Sequence, residues 1–255
     1  MTRTTPETID GTRIPVICVD WSSVAGAEIF NPNAWSSASK GIIRSCWTEY
    51  SVLHYCSRQI TAMCQEAEPL CQKHIETIQG QWRLAKVDLH KIVIFGEVPD
   101  LHIRIEAFFS GVKTLLDLLV QLLSSEKVVG VKLDGFHRVK NIYGGKVLNA
   151  LAKNAVRHKE PIARKIRTLV TEHKTLWINE VIQARDWLIH PEMGIHQLTF
   201  QLEFIEEGSN LVCTQILRPT VGTVAIDEYA ERVLQHVQIF TSLFLGLLRE
   251  AATSP

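Results

Sequence analysis

Between Pro99 and Ser124, seven large apolar residues (Leu101, Ile105, Phe108, Val112, Leu115, Leu119 and Leu122) recur at alternating spacings of four and three. Only an α-helix brings such a series onto one face, so the stretch predicts a strongly amphipathic core helix that other apolar faces must cover. Proline fits its first turn, because the N–H it lacks is one that a helix start leaves unpaired anyway. The same rhythm returns elsewhere. Residues from Ser36 to about Gln79 read as one long or two shorter helices, with no proline before Pro69. Further helices are expected from Val147 to about His158, from Pro161 to His190, and from about Ile226 to Ala251. The second of these carries the stripe Ile162, Ile166, Leu169, Val170, Trp177, Val181, Ala184 and Leu188.

Two stretches break the helical period. Leu198, Phe200, Leu202 and Phe204 alternate with polar residues, "EEGSN" supplies a turn and "LVCTQIL" returns, which predicts a β-hairpin. Several glycines and bases in "SSEKVVGVKLDGFHRVKNIYGG" predict a loop with a short strand or helical turn. Residues 1–35 mix one short strand candidate, "RIPVICVDW", with Gly, Asn, Pro and Ser. The expected fold is therefore mainly α: an irregular N-terminal extension (1–35) and one helical domain (36–255), a bundle with a small β-hairpin after the 161–190 helix.

Composition narrows the function classes. With 255 residues, 46% of them hydrophobic and 21% charged, the chain has enough material for its own core. Its formal net charge is zero, so no global field draws it to nucleic acid or to an anionic membrane, and any electrostatic site must be local. Six cysteines, at 18, 46, 56, 64, 71 and 213, form no CxxC pair and read as reduced, buried thiols. Cys71 and His74 could meet a metal from one helix, but no second pair completes a ligand set, so neither metal nor cofactor is expected. "MTRTTPETIDGTRIP" lacks a secretory apolar segment, and "TLLDLLVQLL" and "IFTSLFLGLL" fall short of the roughly 18 apolar residues of a membrane span. A cytoplasmic protein without membrane contact is the expectation. The chain has no GxxxxGK[ST], GxGxxG or GxSxG, which removes the sequence basis for nucleotide hydrolysis, dinucleotide chemistry and hydrolase-elbow catalysis.

"QARDWLIHPEM" (183–193) holds the densest chemistry. At about 100° per residue, Arg185 and His190 splay by roughly 140°, whereas Asp186 and His190, four apart, share a face. Asp186 is thus placed to orient the imidazole. Pro191 disfavours α conformation at His190, setting that ring at the helix end, where the dipole favours its cationic form. A fixed guanidinium beside a carboxylate-oriented His is what metal-free RNA cleavage needs: the His moves the proton of a 2′-hydroxyl or of the leaving oxygen, and the Arg steadies the charged phosphorane. Two other Arg–His pairs, Arg83 with His90 and Arg167 with His173, have neither an Asn, Asp or His directly after the Arg nor the four-residue gap. Composition alone predicts only about 0.05 pairs meeting both conditions.

"RDWLIH" resembles the R-[polar]-x3-H signature of the HEPN superfamily, compact helical bundles many of which are metal-independent endoribonucleases. The layout is similar over roughly residues 37–252, from the core helix "IRIEAFFSGVKTLLDLL" through a variable loop to a long helix ending in the motif. The resemblance implies that Arg185 and His190 form the catalytic pair, tuned by Asp186, and that two protomers of a homodimer face their motifs across one cleft. It further implies RNA as substrate, a toxin or defence role, and an antitoxin or regulatory protein as partner. Members that bind RNA or a protein without cutting keep a non-catalytic helical module as the alternative.

Seven Lys or Arg lie between Leu151 and Lys174 (153, 157, 159, 164, 165, 167 and 174) against Glu160 and Glu172, a local excess of 7 − 2 = 5. Arg157, Lys159, Arg164, Lys165 and Arg167 are accordingly candidates for RNA phosphates, with a solvated face as the other reading. Trp177 and Trp187 are weighed as base-stacking residues against core or interface residues, and His196 as an aid to proton transfer against a merely exposed loop residue.

Overall fold

The computed structural model describes residues 8–9, 12–13, 30–79, 92–96, 98–189, 199–207 and 210–253. It is mainly helical with a small antiparallel sheet, as the sequence periods require. Two short strands, β1 (Thr8–Ile9) and β2 (Thr12–Arg13), pair with each other. After a 3-10 turn at Pro32–Ala34, α1 runs unbroken from Ser37–Gln79, 43 residues that include Pro69. It packs along α2 (Pro99–Ser125), whose buried side includes all seven residues of the apolar stripe. By length and composition α2 would suffice to cross a membrane, and 56% of its most apolar window is buried within the molecule. Phe30 and Trp35, at the end of the N-terminal stretch, are buried in the same core, with Phe30 against Trp47 and Tyr50 of α1. The "RIPVICVDW" strand lies outside the described residues apart from Arg13.

α3 (Gly145–Lys153) is shorter than its periodicity suggested. The segment expected to continue it to His158 leaves the helix because its backbone pairs with the loop after α2. Gly130 donates to the Asn154 carbonyl at 2.8 Å and Val156 donates to that of Val128 at 3.0 Å. A 3-10 turn at Arg157–Lys159 then leads into α4 (Glu160–His173), with Pro161 in its first turn. One π turn, Lys174–Ile178, joins α4 to α5 (Asn179–Ile189) without a break, a feature the apolar stripe did not reveal.

The expected hairpin is β4 (Phe200–Glu207) with β5 (Asn210–Leu217). It is part of a three-stranded sheet, because β3 (Ile92–Gly96) adds antiparallel to β4, with Ile94 opposite Leu202 and Gly96 opposite Phe200. Phe200, Leu202 and Phe204 face inward and are buried, the consequence of period-two alternation. A second short pair, β6 (Thr220–Val221) and β7 (Val224–Ala225), precedes α6 (Ile226–Thr253), which closes the bundle against α1, α4 and α2. Cys46, Cys56 and Cys64 are buried on α1, and burial pushes the Cys46 thiol up to about 12.

Candidate functional site at the end of α5

α4, the π turn and α5 form one continuous rod from Glu160 to Ile189. Arg185 and Asp186 lie in its last two turns, where α5 packs on α2. Asp186 grips the guanidinium beside it: Arg185 Nη1 donates to Asp186 Oδ1 at 3.0 Å. The two side chains are 31% and 23% accessible, sheltered enough for the pair to be screened less than a surface ion pair. Arg185 Nε is buried and has no partner among the described residues.

The second oxygen of Asp186 faces a different element. Tyr143, in the loop before α3, donates its hydroxyl to Asp186 Oδ2 at 3.2 Å. Burial and the Asp186 charge raise the phenol above its usual range, so it stays a donor at neutral pH. Sequence reasoning missed this residue, because the contact spans 43 positions and begins in a stretch read only as loop. The local signal was the Gly144–Gly145 pair. Gly144 sits at φ +65°, and a Cβ there would stand 2.3 Å from the Phe136 ring, so this position needs glycine on both counts. Phe136 itself is fixed from α2: its N–H donates to Asp117 Oδ1 at 2.6 Å. The loop is thus a packed element that presents Tyr143 to the motif helix.

α5 ends at Ile189, and His190, Pro191 and His196 lie outside the described residues. The described half of the motif places Arg185 and Asp186 together, with Asp186 as the hub. Each Asp186 oxygen takes one bond from a neighbour and keeps a lone pair, so the carboxylate has acceptor capacity left for an imidazole.

The basic residues sit elsewhere. Arg164 and Arg185 are 21 positions apart, and at 1.5 Å per residue that is about 30 Å along the rod. Three of the five candidates have intramolecular partners: Lys159 Nζ donates to the Glu126 carbonyl at 2.8 Å, Arg164 meets Glu160 at 3.1 Å, and Lys165 meets Glu250 of α6 at 3.0 Å. Arg157 and Arg167 are exposed, with no ion pair among the described residues. The excess of five charges read from the sequence is therefore reduced by an acid that arrives from another helix.

Trp177 is a core residue. It is 3% exposed, donates its indole N–H to His173 Nδ1 at 2.8 Å and stacks on His236, an arrangement that gives a base no access. Trp187 is half-buried. The side chains of Cys71 and His74 lie outside the described set.

A cavity of about 840 Å³ opens between the end of α2 and the following loop, lined by Ser125, Lys127, Val129, Lys132 and Val156 among others. Neither Arg185 nor Asp186 lines it. Comparison with known protein families, with characterised proteins and with solved structures finds no match to this chain.

Proposed function

We propose that this chain is a HEPN-type, metal-independent endoribonuclease that works as a homodimer. In the reaction, the 2′-hydroxyl of RNA attacks the adjacent phosphorus and the 5′-oxygen leaves. His190 moves the proton, taking it from the 2′-hydroxyl or giving it to the leaving oxygen, while Arg185 stabilises the pentacoordinate phosphorane. Asp186 and Tyr143 hold the guanidinium in place. Two protomers supply two such pairs, so that one His serves as base and the other as acid.

The observation that carries this reading is the Arg185–Asp186 bond within the RDWLIH motif, braced from the loop by Tyr143. A guanidinium fixed in advance needs no reorganisation when charge develops on the phosphorane, which is the condition for effective electrostatic catalysis. The mainly helical fold is compatible with it.

The test is RNA cleavage in EDTA by the wild type, His190→Ala and Arg185→Ala. Cleavage by the wild type alone is expected. Equal activity in all three, or loss of wild-type activity on chelation, overturns the reading. RNA or protein binding that survives His190→Ala with no cleavage by the wild type would make the chain a non-catalytic module instead.

A further inference from the structure

The stretch from Arg138 to Tyr143 is folded into a tight reversal whose geometry has a result at the site. Val139 and Ile142 exchange both backbone hydrogen bonds, at 3.0 and 3.1 Å, so Arg138 and Tyr143 become the next pair across the ladder. Lys140, at the tip, is held at φ +56°, a conformation that costs a non-glycine residue of order 1 kcal/mol and that the surrounding structure must sustain. What it sustains is a stack: the Arg138 guanidinium lies 4.1 Å above the centre of the Tyr143 ring, whose hydroxyl is on Asp186.

Two guanidiniums, Arg138 and Arg185, thus flank one tyrosine–carboxylate hub. The charges do not cancel, since Asp186 carries one negative charge against two fixed positive ones. Arg185 gives Nη1 to Asp186 and buries its Nε, while 31% of its side chain stays accessible to a ligand. Arg138 is exposed, with its guanidinium over the Tyr143 ring and a side-chain hydrogen bond to that tyrosine, so it is anchored on one side and open to solvent on the other. A ligand meeting both would have to be anionic, offer several acceptor oxygens, and extend from one cation to the next. A polynucleotide backbone meets all three conditions.

We infer that Arg138 forms a second phosphate-binding position beside Arg185, so that the hub grips a phosphodiester of the bound strand next to the one attacked. This rests on the endoribonuclease reading and adds to it a substrate contact that the RDWLIH motif does not contain. Arg138 has no role in proton transfer; its part is to fix the strand, and the stack on Tyr143 reduces what must be ordered on binding.

The experiment is titration of the full-length protein with a short 2′-O-methyl RNA of mixed sequence, which lacks the attacking hydroxyl, over a series of salt concentrations. Removing one phosphate contact lowers the slope of log affinity against log salt by about 0.7, the value for one charge on a single strand. Arg138→Gln is expected to show that decrease and about tenfold weaker binding at low salt, and Arg138→Lys to keep the wild-type slope. An unchanged slope in Arg138→Gln overturns the inference. So does an equal loss in Arg138→Lys, which would mark a structural role for the stack. Cleavage of natural RNA in EDTA separates the two claims. If the wild type cleaves while Arg138→Gln binds like it, only the second phosphate position falls. If the wild type neither binds nor cleaves, the endoribonuclease reading falls with it.

Discussion

The two ends of the α4–α5 rod carry cations in opposite ways. At the start, Arg157, Lys159, Arg164, Lys165 and Arg167 are numerous and largely solvated; Arg164 and Glu160 are 76% and 60% accessible. At the end, Arg185 is alone on its helix, partly buried, and bonded to a carboxylate that a second element also holds. Charge count alone favours the first region as an RNA surface. Charge placement favours the second as a place where chemistry can happen, because a solvated pair is worth a few tenths of a kcal/mol while a sheltered, pre-oriented cation acts on developing charge without rearranging.

Charge removal at each end has the largest expected effect. Arg185→Gln is expected to lower kcat/KM for RNA about 10²- to 10³-fold. Arg167→Gln is expected to change it only a few-fold, with an effect that vanishes at high salt. Equal losses in the two variants would erase the distinction.

The next largest effect concerns the brace on the motif. Gly144→Ala places a Cβ into the Phe136 ring at a positive φ, and should cost about 2–4 kcal/mol, a drop in Tm of roughly 5–15 °C. Gly246→Ala is the control, since that helical glycine has open space around it. It should raise stability by about 0.5–1 kcal/mol. If calorimetry finds the two alike, the loop is not the packed support described above.

Tyr143→Phe removes one hydrogen bond and should cost about 0.5–1.5 kcal/mol. Because the lost bond frees Asp186, cleavage should slow by more than stability suggests, about tenfold. An Asp186→Asn double-mutant cycle reads the coupling directly, and additive effects would show that the phenol does not act through the carboxylate.

Acid stability probes the middle of the rod. Burial and the neighbouring His236 hold His173 below its ordinary pKa, and its Nδ1 accepts the Trp177 N–H. The unfolded chain therefore binds a proton that the folded one refuses as pH falls below about 6.5. Stability should fall through that window and level off below the folded-state value; a His173→Gln variant with the same slope would assign the effect to His54 or His236, which are also lowered. Smallest of all, Lys165→Gln at the exposed Glu250 pair should shift stability by less than about 0.5 kcal/mol.

Much of this fold is legible in the sequence because burial imposes a period. The α2 stripe, the 161–189 stripe and the Phe200–Leu202–Phe204 alternation all fill the core as their spacing requires. Less visible were features set by partners distant in the chain. Nothing local at "NAVRH" announces that Val128 and Gly130 will pull residues 154–156 out of the helix. "IVIFG" carries strand residues, but its partner β4 lies more than 100 residues along the chain. The π turn is silent for another reason, since one extra residue per turn barely disturbs an apolar stripe. In the site, adjacency gave Arg185 and Asp186, whereas Tyr143 and Arg138 depend on a turn held by Gly144 and Phe136. The basic run misled by omission, because Glu250 lies 85 residues from Lys165.

Product analysis after digestion of an RNA oligonucleotide in EDTA distinguishes attack by the 2′-hydroxyl from any other cleavage chemistry. Attack by a 2′-hydroxyl with Arg185 and His190 in the roles given above predicts 2′,3′-cyclic phosphate and 5′-hydroxyl ends, no cleavage at a single 2′-deoxy position, and loss of all products in His190→Ala. Products ending in 5′-phosphate, or cleavage that continues at the 2′-deoxy position, would contradict it.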